Sequence, residues 1–208
     1  DTKQFDINKI NYCDEKINGN LNRNSPVSTL SYVHREDSIA EKILSNKKIN
    51  LLIKDYLGED ARLDMISLSI THNDTNNSIV SEKWHYDNVG RRIKLFYYLN
   101  DNDDICTDYV SGTNNLFHKS YTTDGSRVDE KLIKKFNGKI NSYFPIKNKI
   151  LIFDTNGYHR GNYKDIFKNK TNKSRSSYRK MLKFEFSNSK KSELFFQKSN
   201  SIGVRGTF

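Results

Sequence analysis

Period-two hydrophobicity from residue 63 onward, hairpin-type turn signals between those runs, and helical periodicity confined mainly to the first sixty residues predict a mainly β fold with flanking helices. Two facing antiparallel sheets accommodate this pattern, as a jelly-roll or double-stranded β-helix of the cupin-like kind. The 208 residues suit one domain, with no internal repeat or linker. We expect an N-terminal loop and helical buttress over 1–60, a jelly-roll core over 61–187 and a tail over 188–208.

Residues 1–30 are polar and Asn-rich, with turn signals at Asn18-Gly19 and Ser25-Pro26, and read as loop with room for one short element. Ile39, Ile43 and Leu44 recur at helical spacing, and Glu36 and Asp37 favour a helix start ahead of them. A second helix is expected over Asn50 to Leu57, with Leu51, Leu52 and Tyr56 on one face and Gly58 as its stop.

From Leu63 the period becomes two. Asp64, Ile66, Leu68 and Ile70 form the mostly apolar set expected to face the core. Ile79 to Asp87 reads as the next strand. In Arg92 to Leu99, Ile93, Leu95, Tyr97 and Leu99 share one face and Lys94, Phe96 and Tyr98 the other. The acidic run at 100–104 reads as a solvated turn, because it lacks the glycine and distal glutamate of a calcium loop. Asp108 to Thr113 is a short expected strand, 114–128 a long loop, and Asp129 to Phe136 a helix closed by Asn137-Gly138. Lys149 to Asp154 reads as a buried strand, and Asn156-Gly157 as a hairpin turn that opens the strand carrying His159. Residues 164–177 are a Lys/Asn/Ser insertion, and Arg179 to Phe186 is the last strand.

Apolar residues make up 35% of the chain and aromatics 12%, so Phe and Tyr supply much of the core. No apolar run approaches a membrane span, and the start lacks a signal layout. The chain does not open on Met, which suggests a piece of something longer. Two cysteines, Cys13 and Cys106, point away from a disulfide framework and toward a reducing cytoplasmic setting. A net charge of +10 and a pI near 9.4 permit an anionic partner: a phosphorylated metabolite, a CoA thioester, an anionic glycan or nucleic acid. The last is disfavoured, because no basic stripe interleaves with aromatics.

The chemistry centres on Trp84-His85-Tyr86-Asp87. In an extended segment His85 and Asp87, two apart, project to one side about 6–7 Å from each other. An imidazole and a carboxylate so placed can grip one metal ion. His159, behind its tight turn, is the best-placed third ligand. Two histidines and one carboxylate with the other positions open is the ligand set of non-haem Fe(II) oxygenases.

Between Trp84 and Phe186 the chain resembles the phytanoyl-CoA dioxygenase-like branch of the Fe(II)/2-oxoglutarate oxygenases. The residues that carry the resemblance are Trp84-His85-x-Asp87, the strand ending Leu99-Asn100-Asp101, Ile152-Phe153-Asp154, His159-Arg160-Gly161 and Arg179. The resemblance implies that His85, Asp87 and His159 bind Fe(II). It also implies that 2-oxoglutarate and O2 take the remaining positions, and that succinate and CO2 leave as a small or carrier-linked substrate is oxidised. Arg179 would pair with the far carboxylate of 2-oxoglutarate, which a planar guanidinium suits. Arg175 competes for that role, because the gap from His159 to Arg179 is longer than is usual in the family. Asp87 at the second ligand position points to hydroxylation rather than halogenation.

Tyr97, from the barrel interior, and Thr113 are further cosubstrate candidates; Tyr97 reads equally well as a core tyrosine. Asp154 is a candidate acceptor for the His159 ring, and Trp84 either lines the pocket or serves structure. Gly112-Thr113-Asn114 stands where the family often has Gly-Ser-His, Arg160 faces substrate or solvent, and His34, His72 and His118 lack partner spacing. Two other functions compete. One is a non-catalytic jelly-roll module for an anionic ligand such as a glycan. The other is a cupin-like metalloenzyme with no keto-acid cosubstrate.

Overall fold

The computed structural model describes residues 27–31, 38–72, 80–87, 91–115, 127–136, 138–163 and 178–188. In chain order these form β1 (Val27–Ser31), α1 (Ser38–Leu44), α2 (Lys47–Leu57), β2 (Ala61–His72), a 3-10 turn (Val80–Glu82), β3 (Arg92–Tyr98), β4 (Ile105–Val110), α3 (Glu130–Lys134), β5 (Ile140–Tyr143), β6 (Ile150–Asp154), β7 (His159–Tyr163) and β8 (Tyr178–Asn188). A large sheet runs β1-β2-β8-β3-β6 and a small one β5-β4-β7, and every pairing is antiparallel. The sheets face each other as a jelly-roll. No helix among the described residues is long and apolar enough to cross a membrane.

The main apolar core lies outside the barrel. Ile66, Leu68 and Ile70 of β2, Ile93 and Leu95 of β3, and Leu182, Phe184 and Phe186 of β8 pack against Ala40, Ile43, Ile53 and Leu57 of α1 and α2. Each of the Ile, Leu and Phe side chains contributes about 1.5–3 kcal/mol on burial. A bulge between Leu63 and Met65 changes the phase of β2, so Leu63 enters this core and Asp64 does not. Asn46 caps α2 by accepting from the N–H groups of Lys48 and Ile49 (3.0 and 3.2 Å), so the helix starts at Lys47 rather than Asn50. Gly58, at φ +97°, ends it as expected. The buried face of α2 is Ile53 and Leu57. Leu51 and Leu52 stand 60% and 48% exposed, contrary to the expected face.

The inner face of the large sheet is mixed. Phe96, Tyr98, Phe153 and Met181 pack between the sheets. Beside them lie buried Ser67, Ser69, Thr71, Arg179 and Ser187, on the residues that alternate with the outer core. Three further expectations need correction. β4 begins at Ile105 and buries Asp108 in mid-strand. β6 is a half-exposed strand at the edge of the large sheet, paired among the described residues with β3 alone. The Asn156-Gly157 turn joins β6 to β7 across the two sheets rather than within a hairpin.

Candidate metal centre

The segment carrying His85 and Asp87 is not a regular strand. A 3-10 turn occupies Val80–Glu82, and beyond it the backbone is extended and tied down at single points. His85 N–H donates to the His159 carbonyl (2.9 Å) and His159 N–H to the His85 carbonyl (2.8 Å). This mutual pair holds the two imidazoles side by side, with ring centroids 4.3 Å apart. Asp87 N–H donates to the Thr155 carbonyl at 2.8 Å, which sets the carboxylate beside them. One donor atom from each of His85, Asp87 and His159 falls within a 4.8 Å group.

Both rings are oriented alike. Nδ1 of His85 lies 2.8 Å from the Lys83 carbonyl and Nδ1 of His159 lies 2.8 Å from the Gly157 carbonyl. A carbonyl only accepts, so each Nδ1 carries the proton and each Nε2 keeps its lone pair for a metal. Burial pushes the His159 pKa down to about 3, helped by His85, and burial likewise lowers that of His85. Burial alone would raise the Asp87 pKa, but the Lys94 ammonium, paired and hydrogen-bonded to it, holds it well below the usual carboxylate range. Neutral imidazoles beside an ionised carboxylate are the protonation states a divalent metal requires. The carboxylate is also aimed: Oδ1 lies 3.9 Å from His159 Nε2, while Oδ2 is held by Lys94 Nζ at 2.5 Å.

The walls fit closely around His159. The Phe153 ring meets its imidazole edge-on at 5.3 Å. A Cβ on Gly157 would run into the Tyr109 phenol, so a larger residue there would displace the phenol or the turn.

Arg179 sits on the inner face, 6% exposed, opposite Thr71 on β2. Its Nε and Nη1 have no hydrogen-bond partner among the described residues, and neither has the Thr71 hydroxyl. A buried guanidinium with open donors is strongly disfavoured unless something anionic meets it. Arg175 lies outside the described residues, as do His34 and His118.

Several expected residues stand elsewhere. Tyr97 points away from the barrel interior: it packs against the outer core and its hydroxyl donates to Asn148 Oδ1 at 2.9 Å. Tyr98 takes the inner face instead. The Thr113 hydroxyl donates to the Val110 carbonyl (2.7 Å) and accepts from Tyr158 N–H (2.8 Å), pinning the approach to His159. Asp154 accepts from the Tyr56 hydroxyl and Asn156 N–H, not from His159. The Asn114 amide donates to the Tyr56 hydroxyl at 3.2 Å. Trp84 is buried in a cluster with Tyr86, Val110, Ile133 and Tyr158, under the Arg160 guanidinium at 4.6 Å. Arg160 in turn donates to buried Asp108 at 3.0 Å. His72 ends β2. Lys94 was not among the expected site residues. Its signal was its shared face with Phe96 and Tyr98, an ammonium in an otherwise apolar row.

Strand order, register and facing sheets define a double-stranded β-helix, and solved structures carry the same fold. The epimerase SnoN, in complex with Fe3+, alpha ketoglutarate and nogalamycin RO, matches with TM-score 0.58 at 12% identity, over 98% of this chain and 86% of its own. HygX from Streptomyces hygroscopicus, with nickel, 2-oxoglutarate and hygromycin B bound, matches with TM-score 0.55 at 10% identity, over 89% and 80%. AviO1 from Streptomyces viridochromogenes Tue57 matches with TM-score 0.53 at 11% identity, over 86% and 80%. No family model and no curated protein sequence matches the chain.

Proposed function

We propose that the protein is a non-haem Fe(II)/2-oxoglutarate-dependent dioxygenase that hydroxylates a small or carrier-linked organic substrate. The observation that carries this reading is the convergence of His85, Asp87 and His159 with both Nε2 lone pairs free. These three residues would hold Fe(II) and leave the rest of its coordination sphere open. Bound there, Fe(II) supplies the coupling of oxidative decarboxylation to substrate oxidation: 2-oxoglutarate, O2 and R–H become succinate, CO2 and R–OH.

The chain's own residues prepare that reaction. The Lys83 and Gly157 carbonyls fix the imidazole tautomers, and Lys94 holds the far oxygen of Asp87. Arg179 would take the far carboxylate of 2-oxoglutarate on its open donors, with the Thr71 hydroxyl beside it. Phe96, Phe153 and Met181 form a buried apolar cluster on the same inner face. HygX and SnoN, of the same fold, were solved with a metal and the keto acid together with small-molecule ligands. Within this class the phytanoyl-CoA dioxygenase-like branch remains our reading of the Trp84–Asp87 and His159–Gly161 stretches. We read 61–187 as the catalytic core, at work in a reducing cytoplasm.

The test is succinate release from 2-oxoglutarate. We expect a strict Fe(II) requirement in the wild type and loss of turnover in His85→Ala. Equal turnover in that variant sinks the assignment.

A further inference from the structure

The segment that carries His85 and Asp87 is bonded to β7 only at single points, so its side chains need further support. Along 84–87 they alternate. His85 and Asp87 face the candidate metal centre, while Trp84 and Tyr86 enter the cluster with Val110, Ile133 and Tyr158 on the outer side. β7 alternates in the same way: His159 faces the centre, and Arg160 lies over Trp84 on the outer side.

Arg160 crosses the segment there. Its guanidinium carbon stands 4.6 Å from the centroid of the Trp84 ring. Nε donates to Asp108 Oδ2 at 3.0 Å, and Nη1 lies 3.5 Å from Glu130 Oε1. One side chain of β7 thus reaches β4, the 84–87 segment and α3. Asp108 fixes it from directly across the β4–β7 ladder. That carboxylate is buried, and it also accepts from the Ser142 hydroxyl at 2.7 Å, the Asn162 amide at 2.8 Å and Cys106 Sγ at 3.4 Å. Among the described residues Arg160 is the one cation paired with it. A buried carboxylate in mid-strand is strongly disfavoured without such a partner. An ammonium could neutralise Asp108, but a planar guanidinium can do so and still stack on the indole.

We propose that Asp108, Arg160 and Trp84 form a brace on the outer face of the small sheet that holds His85 at its distance from His159, and so sets the affinity of the centre for a divalent metal. The three are positioning residues and none is a ligand. Trp84 shares a peptide with His85 and Arg160 shares one with His159. Clamping the outer pair therefore stops the two histidine segments from rolling against each other about their mutual backbone bonds. This inference rests on the iron-site reading above and adds the residues that keep the site in shape from behind.

The test is the Mn(II) affinity of the protein, read from the electron paramagnetic resonance signal of the free ion, with a thermal melt of each variant. Arg160→Met alone would strand the Asp108 carboxylate, so it is combined with Asp108→Asn. This double variant and Trp84→Leu should each bind Mn(II) about tenfold more weakly, the scale of one partly desolvated cation–π contact. All three changes together should again weaken binding about tenfold rather than a hundredfold, because both sets remove the same contact. Trp84→Phe keeps an aromatic face and should stay within about threefold of the wild type. Asn46→Ala is the control: it lowers stability far from the centre and leaves Mn(II) affinity unchanged. The brace is overturned if the folded Asp108→Asn/Arg160→Met protein binds Mn(II) like the wild type, if the separate losses multiply in the combined variant, or if Asn46→Ala weakens Mn(II) as much. Should Trp84→Leu fail to fold, the Asp108→Asn/Arg160→Met protein decides, and Trp84→Phe takes its place in the combined variant, which must then bind no more weakly than that protein. A wild type that binds no Mn(II) sinks the iron-site reading itself. A wild type that binds it, with variants that do not differ, sinks the brace alone.

Discussion

Each of His85, Asp87 and His159 is held by a second contact that decides its chemistry. Two backbone carbonyls choose the tautomers of His85 and His159, and one ammonium chooses which oxygen of Asp87 faces them. This has a consequence for the metal-free protein. Folded His159 takes its proton only near pH 3, whereas in the unfolded chain it does so near 6.5. Between those values the unfolded state holds more protons, so stability is fully present above pH 6.5 and falls as pH drops toward 3. His85 shifts in the same direction. Melts of metal-free protein should show a loss on the order of 1–2 kcal/mol between pH 7 and 5, and a shallower loss in His159→Gln. Arg179 lends itself to a separate measurement. Arg179→Gln should weaken 2-oxoglutarate by about ten- to a hundredfold while Mn(II) affinity holds, because the lost bonds are charge-assisted. An unchanged 2-oxoglutarate affinity would move that role to another residue.

The elements that place the site are short and irregular. The His85–Asp87 segment has no ladder of its own and depends on its bonds to the start of β7 and to the turn before it. That turn is tight because Gly157 lies against the Tyr109 hydroxyl. Gly157→Ala forces the phenol or the turn to move, and we expect a destabilisation of about 1–3 kcal/mol. Metal affinity should also fall, because the Gly157 carbonyl orients His159. Thermal melts and Mn(II) titration of the variant check both. The α2 cap is remote from this site and acts on stability alone. Asn46→Ala should cost about 1 kcal/mol and leave succinate release unchanged.

Taken whole, the molecule keeps its main apolar core between the helices and the large sheet, and leaves the space between the sheets partly polar. Buried hydroxyls and a guanidinium (Ser67, Ser69, Thr71, Arg179 and Ser187) line that space. If the proposed metal binds there, it adds to the stability of the native state by mass action. At a free concentration about a hundredfold above its dissociation constant, a divalent metal should stabilise the protein by about 2.7 kcal/mol, and chelation should reverse this. Calorimetry with and without Mn(II) measures it, and His85→Ala should show no response.

The convergence of His85, Asp87 and His159 was legible in the chain because its cues are local: a His-x-Asp spacing, and a histidine behind a glycine turn. Arg179 was legible from the alternation that begins beside it, and the helix stop at Gly58 from its residue type. Which side of a strand meets ligand was not legible. β3 is covered on both faces, by helices on one and by the opposite sheet on the other, so its alternation groups Lys94 with Tyr98 and leaves open what either face touches. Tyr97 was misplaced for that reason, and Lys94 was overlooked for the same one. The partners of Asp87, Asp154 and Thr113 come from segments distant in sequence, and only the folded chain brings those atoms within bonding distance.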